Sequence, residues 1–274
     1  VVTPKKPRRK KEEYERIRSE MNPSIDFSKI GSRSYGGVYL LDQLQRRLKL
    51  GDHLRDSFGT SSKAIMTCGM ALAVNPGPFS SIEETFNSYY LRDLYGTEIP
   101  VGSQDMSRFT GNIGKADVCI DEFFSMRINA CDGLVAWDTT TNGTYSDLDG
   151  MAEWAPNKDD DGLRVVKRAM ATDRRGIPLM YRFYPGSLSD LATIDRLESD
   201  IVRYGRDDAL FVMDRGFCSG ANIHGMLERG RSFVIPAMTS FKAVKTLLTR
   251  FKDSKDKVSM VYDDHAYTVW KTEI

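Results

Sequence analysis

The sequence has few of the residues that build metal knuckles, disulfide frameworks or membrane spans. Its four cysteines, Cys68, Cys119, Cys131 and Cys218, lie far apart with no Cys-x-x-Cys pair, which argues against a zinc knuckle and a disulfide scaffold and for reduced, mostly buried thiols. The three histidines, His53, His224 and His265, show no metalloprotease spacing and read as surface or packing residues. The longest apolar stretch, about Ala64 to Val74, is broken by Thr67 and Gly69 and is too short to cross a bilayer. No signal-peptide pattern is present, so the expectation is a cytoplasmic protein with no membrane partner. Charge of one sign is lacking too, with 39 basic and 38 acidic residues. That balance hides a local excess, because Lys5, Lys6, Arg8, Arg9, Lys10, Lys11, Arg16 and Arg18 crowd the amino-terminal end. Such a run can sit on phosphates. It reads equally as a solvated, partly disordered leader, broken by Pro4 and Pro7.

What is present is apolar material for a core: 41% of 274 residues, enough for one large domain or two ordinary ones. Two short apolar runs carry the most information. Leu134-Val135-Ala136-Trp137 ends in Asp138, and Leu210-Phe211-Val212-Met213 ends in Asp214. Each is too short for a helix, and each is closed by turn chemistry, Thr139 to Gly143 in one case and Arg215-Gly216 in the other. Both read as strands buried on both faces that end in a carboxylate, and such strands are usually neighbours in one sheet. Two carboxylates at neighbouring strand ends suit Mg²⁺, which takes a few oxygen ligands from protein and leaves positions for phosphate and water. Two such ions about 4 Å apart activate an attacking oxygen and stabilise a leaving one. The alternative is that each aspartate merely caps a turn.

Elsewhere the pattern separates into halves. Leu40, Leu41, Leu44 and Leu48 recur at helical spacing after Gly36-Gly37, followed by Leu54 and Phe58, and predict a core-facing helix pair. Lys63 to Val74 predicts a helix stopped by Asn75-Pro76-Gly77-Pro78, and Ser81 with Glu84 predicts a capping box. Asp105 to Ile113 and Asp117 to Ile128 continue the helices, with Val118, Phe123, Phe124 and Ile128 as apolar contacts, and no strand signal precedes Leu134. After it come strands at 165–172 and 179–184 joined by Asp173-Arg174-Arg175-Gly176, a helix at 191–204, the Asp214 strand, a helix at 220–229 capped by Ser219, and a strand at 232–235. This order is that of an α/β, ribonuclease H-like mixed sheet with helices on its faces. A basic helix at 241–251 and a hairpin around Asp263-Asp264 read as the start of a β-rich insertion beginning near residue 237.

Four words occur in one order: Asp138-Thr139-Thr140-Thr141, Arg175-Gly176-Ile177-Pro178-Leu179, Tyr184-Pro185-Gly186-Ser187-Leu188-Ser189-Asp190 and Met213-Asp214-Arg215-Gly216-Phe217. Together they resemble the DDE transposases of bacterial and archaeal insertion sequences, in the branch with a β-rich insertion before the last acid. The resemblance implies a ribonuclease H-like core in which Asp138 and Asp214, with a glutamate, hold Mg²⁺ or Mn²⁺ and catalyse phosphodiester hydrolysis and strand transfer. It implies double-stranded DNA as partner, both the inverted-repeat ends and the target, nucleoid association, and a homodimer that pairs two ends. The family's glutamate pattern, Y-x-x-R-x-x-x-E-x-x-x-x-x-x-K, does not occur, and Glu273 lies in the wrong context. Both ends look cut, so the expectation is a fragment truncated within the insertion and inactive alone. The competing reading is a non-catalytic DNA-binding inhibitor or relic derived from a transposase.

The expected organisation is a basic leader (1–31), an all-α region for DNA-end binding or dimerisation (32–130), and the catalytic core (131–274). Candidate DNA contacts are Arg215, Lys242, Lys245, Lys10 and Lys11. Arg215 either neutralises phosphate or pairs with Asp190 or Asp214. Trp270 either stacks on an unpaired base or packs the hairpin. Asn157, Asp159, Asp161 and Gly162 mimic a calcium loop, but Arg168 occupies the acidic twelfth position, and Asn142-Gly143-Thr144 reads as a turn, not a used sequon.

Overall fold

The computed structural model describes residues 11–20, 31–96, 102–146, 150–156 and 162–270. Most of the basic leader, including Lys10, the calcium-like residues 157–161 and Glu273 lie outside the described residues. The chain divides into two compact units, Val1–Ala116 and Asp117–Ile274. The division falls before the expected 130/131 boundary because the helix at 117–129 packs its Phe124 and Ile128 into the core of the sheet.

The first unit is helical: α1 (Lys11–Glu20), α2 (Gly36–Arg47), α3 (Leu50–Phe58), α4 (Ser62–Val74), α5 (Ile82–Ser88), α6 (Leu91–Tyr95) and α7 (Ser103–Gly114). Part of the leader is thus helical. Val38, Ala64, Cys68, Met70, Ala71, Ile82, Phe86, Leu91 and Met106 form its core. Two local expectations are corrected. Leu40 and Leu44 are exposed, and α2 instead turns Val38 and Asp42 inward. The buried Asp42 carboxylate is made tolerable there by Gln45 Nε2, Arg46 Nε and Tyr95 OH, which all donate to it. The capping box also fails to form, because the Ser81 hydroxyl donates to the Pro78 carbonyl.

The second unit runs α8 (Asp117–Asn129), β1 (Leu134–Thr144), β2 (Arg164–Thr172), β3 (Pro178–Pro185), α9 (Ile194–Arg203), β4 (Leu210–Met213), α10 (Gly220–Glu228), β5 (Ser232–Val234), α11 (Lys242–Asp253), β6 (Val258–Tyr262) and β7 (His265–Val269). The first five strands make one sheet in the order β3-β2-β1-β4-β5. β1 pairs antiparallel with β2 and parallel with β4, β2 pairs antiparallel with β3, and β4 pairs parallel with β5. This is the mixed sheet expected of a ribonuclease H-like core. β6 and β7 form a separate hairpin, turned by Asp263 and Asp264 at φ 48° and 58°.

The same strands correct two more expectations. Thr139 to Thr144, read as a turn and an unused sequon, continue β1 and pair with Arg164–Ala169 of β2. β-Branched threonines suit that extended backbone, and the partner strand supplies the hydrogen bonds a turn would otherwise make locally. Among the described residues the sheet is also buried on one face only, where Val135, Trp137, Ala169, Ala171, Phe211 and Met213 meet Ile194, Leu197 and Ile201 of α9. Val118 of α8 is exposed instead of packed. At the β2–β3 turn, burial pushes the Asp173 carboxyl up, but the Ile177 and Arg175 N–H groups and the Arg175 guanidinium outweigh it and hold it below the ordinary carboxylate value.

Candidate active site

The register of β1 on β4 fixes where the two aspartates meet. Leu134 lies opposite Leu210 and Trp137 opposite Met213, so Asp138 and Asp214 are the next residue on two neighbouring parallel strands. Side chains alternate along a strand, and Val135, Trp137, Phe211 and Met213 all go to the buried face. Ala136, Asp138, Val212 and Asp214 therefore point to the open face. Neighbouring strands are about 4.8 Å apart, so the two aspartates leave the sheet from adjacent strand ends.

Each aspartate has a different local setting. β4 ends at Met213 and turns into a 3₁₀ segment, Arg215–Phe217, whose Gly216 N–H donates to Asp214 Oδ1 at 2.8 Å. Asp138 lies inside β1, still paired with Met170 of β2, at the point where pairing with the shorter β4 stops. Its Oδ1 accepts from the Thr139 N–H at 2.8 Å. Both side chains are exposed, and among the described residues the second oxygen of each has no protein partner. A divalent cation bound between two carboxylates would offset their like charge. The donor set, all carboxylate oxygen with free lone pairs, fits Mg²⁺ or Mn²⁺. No third histidine, cysteine, aspartate or glutamate joins the pair among the described residues.

The other candidates fall in several places. Arg215 is exposed beside Asp214 and is not ion-paired with Asp190 or Asp214; Asp190 pairs with Lys167 Nζ at 2.7 Å. Lys242 and Lys245 are exposed on α11, whose Val244, Leu247 and Phe251 are half-buried, as is Phe241 just before it. Lys11 opens α1, and Lys10 lies outside the described residues. Trp270 packs on Phe251 with ring centroids 6.3 Å apart, and Lys257 Nζ sits 4.8 Å from the centre of the same ring.

Sequence reasoning missed two groups. Thr139, Lys167 and Asp190 form a hydrogen-bonded cluster on the face opposite the carboxylates, lining a cavity of about 470 Å³ with Gly186, Leu188 and Gly216. Asp190 appeared in the sequence only as a competitor for Arg215, and nothing in the spacing of 139, 167 and 190 signals a contact. In the first unit, Arg46, Lys49, Arg55 and Lys63 surround a cavity of about 370 Å³. They come from α2, the α2–α3 turn, α3 and α4, so no contiguous basic run announces them.

Residues 129–271 match the family described as the transposase DDE domain. Among solved structures the chain is similar to the Mos1 transposase paired-end complex with left transposon end, at 12% identity over 89% of this chain and 79% of that one, with a TM-score of 0.27. It is similar also to the piggyBac transposase synaptic complex with hairpin DNA, at 14% identity over 89% of this chain and 52% of that one, with a TM-score of 0.38. The chain thus spans about half the length of the piggyBac chain. No curated protein matches it.

Proposed function

Because this chain belongs to the transposase DDE domain family, we propose that it acts in metal-dependent cleavage and transfer of DNA strands, with Asp138 and Asp214 as the carboxylates that hold Mg²⁺ or Mn²⁺. The observation that carries this reading is the register of β1 on β4, which sets two exposed carboxylates side by side on the open face of the sheet. A divalent ion held there supplies Lewis-acid charge that polarises a phosphodiester and activates the attacking oxygen.

The chain's own residues account for the rest. Asp138 and Asp214 each keep one oxygen on a backbone N–H, which fixes the direction of the other. Arg215, exposed beside Asp214, is free to meet a phosphate of the bound strand. Lys242 and Lys245 present charge from α11, and in the first unit Lys49 and Lys63 line a cavity with Arg46 and Arg55, which pair with Asp42 and Asp52. Duplex DNA is the substrate in this reading, and the first unit serves DNA-end binding or dimer contact.

The test pairs Mn²⁺ binding, read by electron paramagnetic resonance, with binding of duplex DNA. Asp138→Ala and Asp214→Ala are each expected to lose Mn²⁺ binding while binding duplex DNA nearly as well as the unmodified chain. Unmodified Mn²⁺ affinity in either variant refutes the assignment.

A further inference from the structure

The word Tyr184-Pro185-Gly186-Ser187-Leu188-Ser189-Asp190 has no role in the chemistry above, yet it is tied down along its length. Gly186 N–H donates to the Met151 carbonyl, and a Cβ at Gly186 would lie 2.1 Å from the Val165 carbonyl oxygen, so only glycine fits this approach to β2. Glu153 accepts from both the backbone N–H and the hydroxyl of Ser187. Lys167 Nζ, buried on the core side of β2, donates to the Leu188 carbonyl and to Asp190 Oδ1. The segment then enters the 3₁₀ turn Asp190–Thr193.

That turn holds both neighbours of Asp138. Thr139 Oγ1 donates to Asp190 Oδ1 at 2.7 Å. Trp137 Nε1 donates to Thr193 Oγ1 at 3.1 Å, and Thr193 Oγ1 donates in turn to the Asp190 carbonyl at 2.7 Å. Thr193 is fully buried and Trp137 nearly so, so these polar contacts replace water that neither group can reach. Alternation along β1 sends Trp137 and Thr139 to one face and Asp138 to the other. Thr139 also supplies the N–H that Asp138 Oδ1 accepts.

We propose that Asp190, with Thr193 and Lys167, is a positioning group for Asp138: it clamps residues 137 and 139 from the far face of the sheet and so fixes the direction of the Asp138 carboxylate. The proposal rests on the assignment of Asp138 above. The need for such a clamp follows from the topology, because β4 ends at Met213 and leaves β1 without a parallel neighbour from Asp138 onward. Partners that orient a metal ligand typically change metal affinity 10- to 100-fold when removed.

The experiment uses this chain with Asp190→Ala, Asp190→Asn and Thr139→Val, and reads two quantities. One is the NMR order parameter of the residue 137–139 amides in the absence of metal, and the other is the Mn²⁺ dissociation constant. Asp190→Ala and Thr139→Val are expected to lower the order parameters from about 0.85 to below about 0.6, and to weaken Mn²⁺ binding about tenfold. Asp190→Asn keeps an oxygen that accepts from Thr139 and Lys167, and is expected to restore both. Should Asp190→Ala not fold, Thr139→Val, which only exchanges a hydroxyl for a methyl on a strand, carries the test. Unmodified order parameters in the variants that fold overturn the proposal whatever the metal does. Lowered order parameters together with unmodified Mn²⁺ affinity in Asp138→Ala sink the metal assignment and leave the clamp standing.

Discussion

The two faces of the five-stranded sheet are made by alternate residues of the same strands, and they are built for different ends. On one face Val135, Trp137, Phe211 and Met213 are almost wholly buried against α9, with Phe211 1% exposed. On the other, Ala136, Asp138, Val212 and Asp214 are half-buried or exposed. The buried face decides the register, because a slip of one residue would carry its whole apolar set into water. Once the register is set, the open face has no choice about which residues stand side by side. The positions of Asp138 and Asp214 at neighbouring strand ends are thus set by packing on the side of the sheet they do not touch.

This contrast can be tested by truncation on each face. Phe211→Ala is expected to cost about 3–5 kcal/mol of folding stability, measured by urea unfolding. Val212→Ala, one residue on and facing the other way, is expected to cost about 1 kcal/mol or less. Equal losses would mean that the open face is packed as tightly as the buried one. Less again is expected of Asp138→Asn, which removes half of the carboxylate pair: a change within about 0.5 kcal/mol, against loss of Mn²⁺ binding. A large destabilisation there would make Asp138 part of the scaffold.

The turn that joins β2 to β3 gives the smallest effect and a pH signature. Asp173 is held below the ordinary carboxylate value of 3.8 in the folded chain by the Ile177 and Arg175 N–H groups and the Arg175 guanidinium, which outweigh its burial. Its contribution is therefore complete above that ordinary value and is lost as pH falls from there through the lowered one. Asp173→Asn is expected to flatten the fall of the melting temperature below about pH 4, read by scanning calorimetry. An unchanged acid limb would place the sensitivity elsewhere, for example at Asp121, whose carboxyl is pushed up by burial but more than pulled back by Tyr204 and Arg203.

Much of this was legible in the chain. Each strand of the mixed sheet overlaps a segment that reads as strand in the sequence, at 134–137, 165–172, 179–184, 210–213 and 232–235, and Ser219 caps α10 through the Asn222 N–H as its position suggests. The readings that failed depended on a distant partner. Thr139 to Thr144 have turn-like composition but become strand because β2 lies alongside. Leu40 and Leu44 have helical spacing, yet α2 turns Asp42 inward because Tyr95, from α6, is there to satisfy it. The α8 helix looked like the last of the helical region, and its Phe124 and Ile128 found the sheet.

By itself the sequence determined the kinds and order of the elements, the family words, and the two aspartates that follow short strand-forming runs. All of these are local: they depend on periodicity, turn residues and which side chain stands next to which along the chain. Only the tertiary structure decided that β1 outruns β4, that the sheet is buried on one face among the described residues, and that Lys167 and Asp190 meet Thr139 behind Asp138. The physical reason is that register and cross-sheet contact are properties of pairs of strands, set by the burial of a shared face that no single segment encodes.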